Sequence, residues 1–195
     1  RTAHLFWDGL TWPELRAAPG NEADDEGDNL LMRVYGSSTR DKFYALFRDP
    51  LLFDTSIIEV GRTILDAKLR ISISTAKGWN DYPDYKLALV SSNPASNTQL
   101  VPADYQCLGS TLLSNDLVPL IEEYYYGVIF TFNLNAAGLA AIAKGGITKL
   151  GLREYFYDIL GNIPDWHGFT WWGMEVRSAD HLDPDRRPRL EVTYK

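Results

Sequence analysis

Two groups of aromatic residues have neighbours that could bind a sugar. Trp79, Tyr82 and Tyr85 share one short stretch with Asn80, Asp81 and Asp84. Trp166, Trp171 and Trp172 stand near a late strand with Asp165 and His167. Aromatic faces cover the apolar faces of pyranose rings, and nearby carboxylates, amides and guanidinium groups bond the hydroxyls. The expected carbohydrate contacts are Trp79, Tyr82, Tyr85, Trp166 and Trp172. The opposing expectation is burial, because aromatics also dominate cores and subunit interfaces. Trp171 and Trp172 are adjacent, so a strand would point them to opposite faces, with one of them in the core.

A second chemistry is cation binding. Glu22, Asp24, Asp25, Glu26 and Asp28 put five carboxylates into seven residues. They repel each other unless a cation or solvent screens them. Hard oxygen ligands suit calcium. Asp24, Asp25 and Asp28, together with Asp158, are the expected calcium ligands. The spacing is not that of an EF-hand loop, and a solvated acidic loop is the plainer alternative. Asp54 is expected to cap a turn.

Catalytic patterns are missing. His4, His167 and His181 are scattered, with no HExxH spacing. There is no GxSxG elbow, Walker loop or Rossmann glycine pattern. Cys107 has no nucleophile signature and reads as a small hydrophobe. Pairs such as Asp81 with Asp84, or Glu122 with Glu123, lack the context of a glycosidase. The expectation is a protein that is not an enzyme.

Composition narrows the partners. The chain has 195 residues, 45% of them hydrophobic and 13% aromatic, which suits one β-rich domain over 1–195. A formal charge of −7 argues against a nucleic-acid backbone. A single cysteine excludes an internal disulfide. No apolar run is long enough to span a bilayer.

The elements that must hold these residues are mostly strands. Leu30 to Tyr35, Phe43 to Arg48, Ala67 to Ser74 and Leu87 to Leu89 alternate with a period of two. So do Val128 to Leu134, Thr148 to Arg153, Met174 to Arg177 and Arg189 to Tyr194. Asp49-Pro50 is expected to stop the second strand, and residues 94–116 read as irregular. One helix is expected near 136–144, capped by Asn135 and ended by Gly145-Gly146. Eight or nine strands with one helix and no βαβ rhythm indicate an all-β jelly-roll sandwich.

The segment 1–15 is apolar, with Leu5, Phe6, Trp7, Leu10 and Trp12. Two roles are open for it. It is the first strand of its own sandwich, or it is an assembly strand donated to a neighbouring subunit.

A wider pattern then emerges. It runs through Gly27-Asp28-Asn29-Leu30-Leu31-Met32-Arg33-Val34, Leu51-Leu52-Phe53-Asp54 and Ile64-Leu65-Asp66-Ala67-Lys68-Leu69-Arg70-Ile71. It continues in Phe132-Asn133-Leu134-Asn135, Gly138-Leu139, Gly146-Ile147-Thr148, Gly151-Leu152-Arg153 and Arg187-Pro188-Arg189-Leu190-Glu191-Val192-Thr193-Tyr194. This order resembles the DNRLRE-type family of β-sandwich domains, related to some carbohydrate-binding modules. The resemblance covers most of the chain from Gly27 onward. It implies a jelly roll in exterior proteins: cell-surface chains, accessory modules of secreted polysaccharide enzymes, and viral structural proteins. The expected function is a structural subunit of an extracellular filament, appendage or virion. The expected partners are other copies or other subunits of that assembly. The alternative is a carbohydrate-binding module on polysaccharide.

Overall fold

A computed structural model describes residues 2–78, 80–121 and 127–195, with Trp7 as backbone alone. The all-β sandwich expected from the sequence is what the chain forms. Twelve strands pair antiparallel among the described residues. They are β1 (Thr2–Leu10), β2 (Glu22–Ala23), β3 (Asn29–Gly36), β4 (Phe43–Asp54), β5 (Ile64–Lys77) and β6 (Lys86–Ser92). Then come β7 (Leu108–Leu112), β8 (Val118–Pro119), β9 (Val128–Asn133), β10 (Ile147–Glu154), β11 (Trp171–Arg177) and β12 (Arg189–Tyr194). β1 takes the in-chain role open to segment 1–15, and β2, β7 and β8 were not expected.

The pairing path runs β12-β5-β11-β3-β4-β10-β6-β7. β4 links the two halves of this curled sheet, which face each other as the layers of the sandwich. Its residues 43–48 pair with β1 and 43–46 with β3, while 49–54 pair with β10. The expectation that Asp49-Pro50 ends this strand is therefore corrected. Residues 49–54 pair only with β10 among the described residues, so one edge needs no amide from Pro50.

One apolar cluster fills the space between the sheets. Ala67, Leu69, Ile71 and Ile73 of β5 are buried, as are Trp172, Met174 and Val176 of β11. Leu87 and Leu89 of β6 and Leu150 and Leu152 of β10 close the other side. Alternation has thus become a single core, to which β5, β11, β6 and β10 give every second residue of these runs.

Helix α2 (Ala136–Ala141) begins where expected, and the Asn135 side chain accepts the Gly138 amide at 3.0 Å. It ends three residues earlier than 144, because Ile142 is already extended. Helix α1 (Trp12–Ala17) was not expected. Glu14 starts it by accepting from the Thr11 amide at 2.9 Å and from the Thr11 hydroxyl at 2.6 Å. Trp12 and Leu15 anchor it in the core.

No helix among the described residues is long and apolar enough to cross a membrane.

Candidate interaction surface

Three of the expected sugar contacts lie in the core. Tyr82, Tyr85 and Trp172 are at most 1% exposed. Tyr82 stacks on Trp172 with centroids 4.1 Å apart and planes 6° from parallel. Their hydroxyls are committed inward, Tyr82 donating to Asp165 O at 2.7 Å and Tyr85 to Met32 O at 2.5 Å. No ring face is left for a sugar, so these assignments are corrected. The cause is local. Gly78 adopts φ +88°, and a Cβ there would sit 2.6 Å from that of Trp172. The chain then turns tightly, with the Tyr82 amide donating to Gly78 O at 2.9 Å, and swings both tyrosines under the sheet. Trp79 lies outside the described residues.

Trp166 is the expected contact that stays accessible. It is half-buried, and its indole N–H donates to Ser37 O at 2.9 Å. It lines an open cleft of about 530 Å³ with Arg40, Asp41, Asp165 and His167.

Asp158 is not placed to hold a metal. It is fully buried. Arg48 grips its carboxylate through Nε at 2.9 Å and Nη2 at 2.6 Å, and Arg153 through Nε at 2.9 Å and Nη2 at 2.8 Å. Arg16 adds a donor to its carbonyl at 2.9 Å. Burial alone would raise this carboxyl, but the guanidinium groups overcome it and bring it down to about 2. Asp158 is the centre of an ion network that ties α1, β4 and β10 together, and both its oxygens are already taken.

Asp24, Asp25 and Asp28 remain near the surface. Asp24 accepts the Glu26 amide at 3.0 Å, and Asp25 accepts the Leu100 amide at 3.1 Å. Asp24 and Asp25 also line a cleft of about 390 Å³ with Asp180, Asn29 and the apolar side chains of Leu30 and Leu51. Asp54 caps its turn as expected, accepting the Ser56 amide at 2.9 Å. Burial pushes the Cys107 thiol up, away from the thiolate a nucleophile needs.

Of the two roles open to segment 1–15, the in-chain strand is the one the chain forms. β1 pairs with β4 of its own chain from Thr2 to Leu10 and with β2 at Thr2 and Ala3. Asn21 closes the backbone of Leu5, accepting its amide at 2.8 Å and donating to its carbonyl at 2.6 Å. Trp12 sits in the core and donates to Tyr157 O at 3.0 Å. Leu5, Phe6, Trp7 and Leu10 belong to this in-chain strand. Both the hydrogen bonds and the anchor of the segment are used inside the subunit.

No known family model matches the chain, and no curated protein is found to be similar to it.

The structure brings together a different set of aromatics. On β3 and β11, Tyr35 opposes Trp171 and Arg33 opposes Gly173. The side chains of Tyr35, Trp171 and Arg33 point away from the core, because their neighbours Val34 and Trp172 point into it. The Arg33 guanidinium lies over the Trp171 ring, 3.7 Å from its centroid, and ion-pairs with Glu175. It also donates to the Tyr35 hydroxyl at 3.0 Å. Gly173 has φ +123°, and a Cβ there would meet the Met32 carbonyl oxygen. Tyr35 then contacts Tyr44 and Phe47 at centroid distances of 6.1 and 6.0 Å, and Tyr44 contacts Phe169 at 6.2 Å. Phe169 is 66% exposed at the margin. Lys77 stands 5.0 Å from the Trp171 ring.

Trp171 and Trp172 look alike in the sequence, two adjacent aromatics at the start of a late strand. The signal was available: Met174 and Val176 as core fix Trp172 inward and leave Trp171 outside.

Proposed function

We propose that this chain is a non-catalytic structural subunit of an exterior assembly, and that it meets its neighbours through the outer face of β3, β4 and β11. One observation carries this reading. The outward face gathers the half-buried Trp171, Tyr35, Tyr44 and Phe47 around Arg33, with the exposed Phe169 at its margin. Tryptophan, tyrosine and arginine are the residues that dominate binding energy at protein interfaces. The Trp171 ring is already covered by Arg33, and Tyr35 packs edge-on against Tyr44. Such a patch offers few free ring faces to a sugar but a stiff apolar relief to another protein. The exterior setting rests on the resemblance to DNRLRE-type sandwiches.

The test is to place a charge on the patch. Phe169→Asp is expected to remove every species larger than a pair of chains while leaving the melting temperature within a few degrees. An unchanged assembly would refute the use of this face.

A carbohydrate-binding role is the second reading, favoured by the Trp166 cleft. There an oriented indole stands among Asp41, Asp165, Arg40 and His167. Calcium at Asp24, Asp25 and Asp28 belongs to the same proposal as an aid to loop order. A calorimetric titration with calcium that gives no heat and no change in melting temperature would remove it.

A further inference from the structure

We infer that the outer edge of β9 pairs with β9 of a second copy, antiparallel across a two-fold axis. This rests on the assembly reading above and names one of its contacts.

β9 pairs with β5 and with no other strand among the described residues. The direction of its backbone groups follows from one hydrogen bond. The Leu134 amide donates to Ala67 O at 3.0 Å, toward β5. Backbone direction alternates along a strand, so the groups of Phe132 and Phe130 also face β5. Those of Asn133, Thr131 and Ile129 face outward. Asn133 is closed by its own chain: its amide donates to Asp116 Oδ2 at 2.7 Å, and its carbonyl accepts from the Ser114 hydroxyl at 2.7 Å. The next two outward positions, Thr131 and Ile129, have no such cover among the described residues.

The side chains do not defend this edge. Native edges are blunted by lysine, proline or inward charge. The run Val128-Ile129-Phe130-Thr131-Phe132-Asn133 has none of these. Val128 is 37% and Ile129 46% exposed. β12, which also ends the pairing path, is defended by Arg189 and Glu191, ion-paired to Asp185 and Arg70.

Why the occupant is a second copy follows from symmetry and charge. The two open positions lie equally about Phe130. A two-fold axis there sets Ile129 against Thr131 of the second copy, and Thr131 against its Ile129. Both become hydrogen-bonded pairs of an antiparallel ladder, giving about four backbone bonds. The loop at Ser114 and Asp116 stops the ladder beyond Phe132, which fixes its register. The chain carries −7 overall, so two copies repel each other on average, while β9 itself carries no charge to add to this.

The test combines hydrogen exchange with mass measurement on the full chain. The amides of Ile129 and Thr131 are expected to exchange fast in dilute single chains and at least tenfold slower in the assembled protein. Those of Phe130 and Phe132 should be slow in both. Thr131→Pro removes one outward amide, which an edge strand tolerates, and Ile129→Lys adds an edge charge. Either is expected to halve the mass of the smallest assembled species with the melting temperature of the dilute single chain kept. If both variants assemble like the wild type while Phe169→Asp does not, the β9 pairing is wrong and the assembly reading stands. If the wild type is a single chain at every concentration, both fall.

Discussion

Arg33 lies flat on Trp171, its guanidinium carbon 3.7 Å from the ring centroid, on the side of the sheet away from the core. The same guanidinium reaches Glu175 and Tyr35, so the ring is held from two neighbouring strands. Within one subunit such a contact contributes about 0.5–2 kcal/mol. Trp171→Ala is therefore expected to lower single-chain stability by about 1 kcal/mol but to abolish assembly beyond a pair of chains. Urea unfolding of the dilute chain and light scattering at high concentration measure the two effects separately. A large stability loss with assembly intact would make Trp171 a structural residue only.

Asp158 should tolerate no substitution. Two guanidinium groups hold its carboxylate, and a third is directed at its backbone. Asp158→Asn leaves these cations buried without their anion, at a cost of about 3–5 kcal/mol. Chemical denaturation of the variant should show this loss, with or without calcium. A variant as stable as the wild type, or one rescued by metal, would contradict the network.

Stability should fall on both sides of mildly acid pH. Burial pushes the Glu154 carboxyl up from 4.5 to about 7, against backbone amides of Asp158, Lys86, Phe156 and Tyr157 that hold it down. A folded value above the unfolded one favours folding below pH 4.5, and this advantage is lost as pH rises to about 7. It is on the order of 3 kcal/mol. Asp158 acts the other way, because its folded value lies near 2 rather than 3.8. Its contribution is present above 3.8 and lost as pH falls toward 2. A pH series of urea midpoints is expected to peak between these two windows. Glu154→Gln should flatten the descent between pH 4.5 and 7 and leave the acid limb alone. A descent of unchanged slope would assign it to other groups.

Two tryptophans should respond oppositely to truncation. Trp172→Ala opens a cavity beside Tyr82 and is expected to cost about 3–5 kcal/mol. Trp166→Ala should cost far less, since Trp166 is half-buried. If the cleft beside it takes sugars, a glycan array positive with the wild type should turn negative with Trp166→Ala. Retained glycan binding in that variant would move the site elsewhere.

The fold was legible because most strands give the core every second residue. β5 reads directly from Ala67, Leu69, Ile71 and Ile73, and all four are buried. Helix α1 was missed, although Thr11 followed by Glu14 is a capping-box spacing, because the apolar run around it reads equally well as strand. β4 was misread at Pro50 because the tolerance for proline depends on which edge is unpaired, a tertiary fact. The site was less legible. Nothing local separates a loop tyrosine that stands in solvent from one that turns under the sheet, as Tyr82 and Tyr85 do. Asp158 looked like a surface carboxylate because its partners Arg48 and Arg16 are more than a hundred residues away.

The most direct test of the assembly reading is light scattering with negative-stain electron microscopy of the purified full chain, with and without chelator. Ordered filaments, tubes or particles are expected, lost in Phe169→Asp. Lone single chains in both conditions, at every concentration, would contradict the structural role and leave the Trp166 cleft as the better guide to function.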